Sequence, residues 1–321
     1  MDFSLAWMSR LKRPANQNRP ASGLVLASGI VLASASGYPI GSLGVSAASP
    51  FLLTAVRITI AALVLTAMAL ASRARWPHGW MLLHCVIVGV LGHCVHFAGL
   101  YAGLAAGVPA SVSALVFGLN PLVTVTIAAI MLGERLTRRR LLALLVGIAA
   151  VISALGSRVV ASGGVDAGSA LTLLGLLGLA SSTVWQQRFC VGIDLRTASA
   201  VQLLASVPPL TALAFIEQGA VSDVRTTVVV ILWLVVVNSV LGTRMLLASI
   251  TRLGAVSTST VFCVVPSMAT IMAWPIVGQV PSSGAVLGLL LGAIACALGL
   301  GSPSRSTTTA TAPTVAAGGM R

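Results

Sequence analysis

The chain has 321 residues, of which 57% are hydrophobic and only 8% charged, and its mean hydropathy is +1.02. A water-soluble domain carries about 25% Asp, Glu, Lys and Arg, so this composition excludes a charged shell facing water and reads as an all-α integral membrane protein. The formal net charge of +13 does not point to nucleic acid, because the basic residues stand singly or in short groups between apolar runs.

The first 22 residues hold Arg10, Lys12, Arg13 and Arg19 and read as a basic cytoplasmic tail. Ala33-Ser34-Ala35 has the small-residue pattern of a signal cleavage site. The apolar run nevertheless continues to residue 42, so it is expected to remain as a first span. Runs of about 20 apolar residues each match one membrane crossing. They fall near 23–42, 49–71, 79–100, 109–132, 140–157, 169–189, 197–217, 226–249, 254–278 and 283–301. Residues 302–321, rich in Ser, Thr, Ala and Pro, read as a disordered cytoplasmic tail.

Cytoplasmic loops retain Lys and Arg. With the N-terminus inside, the inner segments hold Arg73, Arg75, Arg135, Arg138, Arg139, Arg140, Arg188, Arg196, Arg252, Arg305 and Arg321, while the outer loops hold Arg158 and Arg225. The bias places both termini in the cytoplasm of a multi-pass protein of the cell (inner) membrane. The partner expected of its surface is the lipid bilayer, with the chain a monomer or homodimer.

The stretch VFGLNPLVTVTIAAIMLGERLT (116–137) returns 145 residues later as VFCVVPSMATIMAWPIVGQVPS (261–282). At the same offset Leu142, Leu144, Gly147 and Ala150 meet Leu287, Leu289, Gly292 and Ala295. Two five-helix units follow, 23–157 and 169–301, joined by an outer linker at 158–168. Five is odd, so the second unit enters the membrane upside down. Inverted repeats of this kind are a recurring transporter architecture in which substrate is held between the halves. The predicted fold is therefore ten transmembrane helices in two inverted repeats. Glu134 in the first copy faces Gln279 in the second: at the cytoplasmic face Glu134 balances Arg135 and Arg138–Arg140, and at the outer face Gln279 keeps shape and hydrogen bonding without charge.

The run from Gly107 to Gly156 closely resembles the EamA-type repeat of the drug/metabolite transporter superfamily, with a Pro midway along the fourth helix, Gly-Glu at its end and a Gly-rich fifth helix. Arg57-Ile-Thr-Ile-Ala61 resembles the second span of that family. The second half matches more loosely, from Gly175 to Trp185 and at Asn238, Arg252-Leu253-Gly254 and Pro266. The resemblance covers roughly 23–301 and implies a ten-helix carrier, usually an exporter of amino acids, related metabolites or drugs.

An ionisable side chain inside the membrane costs about 2.5–3.5 kcal/mol on insertion scales. Arg57 lies about eight residues into the second span, some 12 Å below the boundary at about 1.5 Å per residue. A fixed guanidinium there can grip a carboxylate bidentately, or serve backbone carbonyls or an outer gate. Arg244, near the cytoplasmic end of span eight, can reach the interface. His93 and His96 share a helix face, with His84 opposite; they either hydrogen-bond across helices or carry protons or ligand. Two His with no nearby acid make no metal site. Cys85, Cys94, Cys190, Cys263 and Cys296 lie within apolar segments and read as small buried residues. The carboxylates all fall in tails, loops or span ends, Glu217 being the nearest to a span. Asn120, Asn238, Trp185, Gln186, Tyr38, Tyr101 and Trp274 lie where they can line a cavity, while Trp76, Trp80 and Tyr101 suit interfacial anchoring. Pro39, Pro121 and Pro266 each remove a backbone hydrogen bond and open a helix; broken helices are a common way for carriers to expose binding groups.

The candidate substrate-binding residues are thus Arg57, Asn120, Asn238, Trp185, His96, His93 and Tyr38, and the candidate structural or gating residues are Pro39, Pro121, Pro266, Glu134 and Arg244. No catalytic constellation, metal set, cofactor motif or nucleotide-binding loop stands in the sequence. The function expected is secondary export of a small metabolite, amino acid or organic-anion-like, by alternating access, with a proton or an exchanged substrate as the possible coupling partner. The alternatives are a multidrug or nucleotide-sugar-type carrier of the same fold, or a membrane protein that does not transport.

Overall fold

The computed structural model describes residues 20–72, 74–132, 138–253 and 261–300. Over these residues the regular elements are helices, and an isolated antiparallel bridge joins Ala48 to Val221. The helices are α1 (Pro20–Ala47), α2 (Pro50–Ala71), α3 (Trp80–Ala105), α4 (Ala110–Gly118 continued by Asn120–Leu132), α5 (Arg138–Ser162), α6 (Ala167–Phe189), α7 (Leu195–Ile216), α8 (224–253), α9 (Phe262–Val277) and α10 (Ser283–Leu300). The first eight contain stretches long and apolar enough to cross a membrane. The apolar stretches of α9 and α10 are 10–17 residues long. At 1.5 Å per residue they reach at most about 26 Å, short of a hydrocarbon core of about 30 Å. Glu134 and the tail at 302–321 lie outside the described residues.

The bundle has an apolar core and, unlike a water-soluble protein, an apolar flank as well. Large apolar side chains such as Leu63, Phe215, Ile216 and Ile271 are exposed on its flanks, while Thr54, Thr172, Thr197, Ser113 and Ser206 are buried. Lipid gives helices no hydrophobic reason to associate, so close packing between small residues takes over. A Cβ on Gly99 of α3 would lie 2.5 Å from the Leu171 carbonyl oxygen of α6, and one on Gly284 of α10 would lie 2.5 Å from the Ser153 carbonyl oxygen of α5. Any side chain at these points would hold the backbones apart.

The helix pairings carry a symmetry. α2 packs on α7, α4 on α9 and α5 on α10; α3 packs on α6 as α8 packs on α1; α4 packs on α6 as α9 packs on α1. Exchanging each helix for the one five places along leaves this set of pairs unchanged. The turns meet at two ends. At one, here the α1–α2 end, the Ser49 amide donates to the Ala220 carbonyl and the Ser222 amide to the Ala47 carbonyl, both at 2.9 Å. At the other, the α2–α3 end, the Thr197 hydroxyl donates to the Arg75 carbonyl at 2.8 Å.

α1 is a continuous helix with Pro39 inside it, so the break expected at residues 37–41 does not form. Its glycines serve packing instead: Gly37 leaves room for the Asn238 side chain, Gly41 for the Tyr101 ring and Gly44 for Leu53 and Val230. The fourth helix does break, at Leu119 between its two halves, and Pro266 follows a short 3-10 turn, Phe262–Val264, at the start of α9. The two irregular points touch, since a Cβ on Gly118 would lie 2.4 Å from Cγ of Pro266. α3 and α8 deviate in another way: Val90–Val95 and Leu234–Leu241 are π-helical.

Candidate substrate site

Pro50 stands in the first turn of α2, where its missing N–H costs nothing. Two turns on, the side chain of Arg57 is only 3% exposed. Its guanidinium carbon lies 4.2 Å from the Phe97 ring centroid and 5.4 Å from that of Tyr101, and Nη1 donates to the Tyr101 hydroxyl. Cation–π attraction at such a desolvated position is worth about 2 kcal/mol, which offsets part of the cost of burying the charge. Nε of Arg57 has no hydrogen-bond acceptor among the described residues. The ion pairs among those residues are Arg158–Asp166 and Arg196–Asp194, so no described carboxylate neutralises Arg57. Tyr101 is 1% exposed, which corrects its reading as an interfacial anchor: the ring fills the space beside Gly41 and its hydroxyl serves the guanidinium.

His93 and His96 join this cluster through Phe97. Their rings stack on it at centroid distances of 6.1 and 4.3 Å. His96 also tilts against Phe117 at 4.8 Å, and Phe117 meets Tyr38 at 6.3 Å. Nδ1 of His96 lies 3.1 Å from the Gly92 carbonyl, whereas Nδ1 of His93 is buried with no partner among the described residues. Arg57, His93, His96 and Tyr38 are therefore one group, held together by Phe97, Phe117 and Tyr101. The two phenylalanines were not legible as site residues; the available signal was that Phe97 follows His93 by one helical turn.

Asn238 sits across the bundle on α8. Its amide donates to the Ala33 carbonyl at 2.7 Å, while its Oδ1 is buried with no partner among the described residues. His93 and Asn238 stand at the repeat offset of 145, each inside its π-helical segment. Such segments are rare and occur often at functional sites.

Other candidates lie elsewhere. Oδ1 of Asn120 accepts from the Thr124 hydroxyl at 3.3 Å, just beyond the break in α4. Trp185 is near the α2–α3 end, where its indole N–H donates to His84 at 3.3 Å and both rings meet Phe189. Beside it Gln202 of α7 donates to Gln186 of α6 at 2.6 Å. Arg244 is exposed on α8. A cavity of about 450 Å³ opens between α2 and α7, but it is lined by Leu52, Val56, Ile60, Thr211 and Phe215, facing the apolar flank and away from the polar cluster. Among the described residues no three His, Cys, Asp or Glu side chains converge on a point that could hold a metal ion.

Among the described residues the aspartates lie at helix starts. Asp166, Asp194 and Asp223 cap α6, α7 and α8 by accepting from the amides of Ser169, Arg196 and Thr226, where a carboxylate also complements the helix dipole. Oε2 of Glu217 accepts from the Phe51 amide at 3.1 Å, which makes it a cap for α2 donated from the other half. Gln279 does the same for α4, its Oε1 accepting from the Ala110 amide at 2.9 Å. Arg158 donates to the carbonyls of Ala106 and Gly107 and to both oxygens of Asp166. Hydrogen bonds from Arg158 and then from Ser169 hold the Asp166 carboxyl well below the usual carboxylate range.

The two halves recognised in the pairings are also distinct in comparison with known proteins: the model of the EamA-like transporter family matches residues 21–156 and again 166–300. The chain belongs to the EamA-like transporter family. As an EamA-like transporter it is a multi-pass membrane protein. No curated protein matches it. A solved structure described as "Crystal structure of protein" shares the fold, with a TM-score of 0.58 and 22% identity over 88% of this chain and 98% of that one.

Proposed function

We propose that this EamA-like transporter is a secondary carrier that exports a small metabolite bearing a carboxylate, an amino acid or a related organic anion, by alternating access between two inverted five-helix repeats. The observation that carries the reading is Arg57: a guanidinium 3% exposed, stacked on Phe97, hydrogen-bonded to a neutral phenol and paired with no described carboxylate. A buried charge without a counter-charge is costly, and a carboxylate arriving from solution supplies both the charge and an acceptor for Nε. His93, His96 and Tyr38 complete the wall around it, and Asn238 of α8, held against Ala33 and Gly37 of α1 beside Tyr38, is assigned to the same site.

α2 and its repeat counterpart α7 pack antiparallel, with Leu52 against Gly219 and Thr197 against Arg75, which supports inversion. α9 and α10 complete a count of ten spans in this reading, and the distribution of Lys and Arg supports a cytoplasmic α2–α3 end. Ties at both ends, Ser49 to Ala220 and Thr197 to Arg75, enclose the cluster; access alternates as one set opens while the other holds. In this reading His93, whose buried Nδ1 has no partner among the described residues, is the candidate to exchange a proton with the gradient.

Purified protein in proteoliposomes, supplied with a panel of radiolabelled amino acids and organic acids with and without a pH gradient, tests this. Flux is expected for at least one carboxylate and is expected to fall at least tenfold in Arg57→Ala. Absence of flux across the whole panel, or wild-type flux in Arg57→Ala, overturns it.

A further inference from the structure

Arg57 has a counterpart. Ala55-Val56-Arg57 of α2 recurs 145 residues later as Ala200-Val201-Gln202 of α7, so the repeat replaces a guanidinium with an amide. Both side chains are buried, 3% exposed for Arg57 and 8% for Gln202. Both helices have 22 residues and run antiparallel, with Leu52 against Gly219 and Thr197 against Arg75. Each residue is seven positions from its own helix start, about 10 Å in, and the helices are about 33 Å long. Arg57 and Gln202 therefore sit about 12 Å apart along the bundle, one nearer each end.

One helix joins them. α3 lays Tyr101 and Phe97 on Arg57, places His93 against Phe97, and then presses Gly89 on Gln202, where an added Cβ would meet the Gln202 carbonyl oxygen at 2.2 Å. Gln202 then donates to Gln186 at 2.6 Å, and beyond that pair His84, Trp185 and Phe189 close the α2–α3 end. The environments differ as the charges do. Tyr101 lies in the space left by Gly41, and the residue at the repeat position of Gly41 is Gln186. A small residue next to the cation makes room for a ring, and a second amide next to Gln202 gives it a neutral partner.

We propose that the Gln202–Gln186 pair is a second, uncharged station for the transported carboxylate, the repeat counterpart of the Arg57 station. On this assignment substrate binds more tightly from the α1–α2 end than from the α2–α3 end. The proposal rests on the reading of Arg57 as the carboxylate site. Amide N–H groups donate to a carboxylate without carrying charge, and hydrogen bonds from charged donors are the stronger. The difference between one charged and one neutral donor is on the order of tenfold in affinity, about 1.4 kcal/mol. A carrier built this way loads at the weak amide station and delivers towards the strong one.

The test uses the full-length protein in proteoliposomes of defined orientation and the amino acid or monocarboxylate giving the highest flux in the panel above. KM is measured from each face. Wild type should show KM lower by about tenfold at the face nearer Arg57. Gln202→Arg should lower KM at the opposite face by about tenfold and bring the two values together, and Gln186→Glu should raise KM at that face alone. Gln186 is half-buried, so its variant keeps the test available where Gln202→Arg does not fold. Equal KM values at the two faces of wild type overturn the proposal, as do variants of both glutamines that fold, transport and leave each KM unchanged. Arg57→Gln separates the readings. A raised KM at the Arg57 face together with unresponsive glutamines sinks the second station alone, whereas an unchanged KM in Arg57→Gln removes the carboxylate site on which both rest.

Discussion

The bond between Arg57 and Tyr101 can be weighed against the rest of the fold by substituting Tyr101→Phe. The ring stays beside Gly41 and under the guanidinium, so packing and most of the cation–π contact survive; what is lost is the acceptor for Nη1. Nε of Arg57 already lacks a described partner, so the variant leaves a buried cation with a second unmet donor. A hydrogen bond to a charged group is worth about 1.5–3 kcal/mol. Using about 2–4 °C per kcal/mol for a chain of some 200 residues as a guide, the thermal midpoint should fall by about 3–12 °C. Arg57→Met removes the donor and its desolvation cost together, and the two substitutions in one chain should then cost less than the sum of their separate effects, with a coupling of about 1.5–3 kcal/mol. The assay is thermal denaturation of the four detergent-solubilised proteins. A coupling below about 0.5 kcal/mol, the limit for independent sites, would refute the claim that the hydroxyl serves the guanidinium.

Gly99→Ala and Gly156→Ala should move stability in opposite directions. A Cβ at Gly99 meets backbone of α6 at 2.5 Å, which no side-chain rotation relieves, and should cost about 1–3 kcal/mol; at Gly156 nothing lies within 4 Å, and the helical preference of Ala should gain about 0.5–1 kcal/mol. Asp166→Asn keeps a good capping residue and so isolates the charge held by Arg158. Because the folded carboxyl titrates below its unfolded value of about 3.9, its contribution is complete above that value and lost as pH falls towards the folded one. The difference in thermal midpoint between wild type and Asp166→Asn should be constant from about pH 8 to 5 and shrink below about pH 4; a difference that persists undiminished at pH 3 would contradict this.

Membrane character and duplication were legible because both are statements about composition and spacing. Hydropathy alone locates most helices, and the 145-residue offset marks the two halves that the family comparison also separates; that α4 packs on α9 and α5 on α10 could not be read from it. Arg57 stood out because an isolated charge in an apolar run is physically expensive. What stayed hidden depends on which side chains meet. Tyr101 has the amphipathic character of an anchor and became the partner of Arg57 only through Gly41, sixty positions earlier in the sequence. Pro39 signals a break, yet the residues beside it are needed for contact with α3 and α8, and the helix runs on. Trp185 and Asn120, chosen for depth and polarity, found partners of their own in His84 and Thr124. Gln202 escaped notice because a lone glutamine is unremarkable until Arg57 is set beside it at the repeat offset.

The two π-helical segments have a consequence for how such a protein changes over generations. They fall at the same place in each half, although Val-Leu-Gly-His-Cys-Val and Leu-Val-Val-Val-Asn-Ser-Val-Leu share little. The simplest history is that the wide turn existed in the ancestral five-helix unit before it was copied, and that the backbone irregularity was inherited while its side chains drifted apart. Chemistry and scaffold are then separable: the residue at position 93 or 238 can be exchanged without rebuilding the helix that presents it. One duplicated frame in this way holds His93 and Asn238, two different side chains, at equivalent wide turns of the two halves.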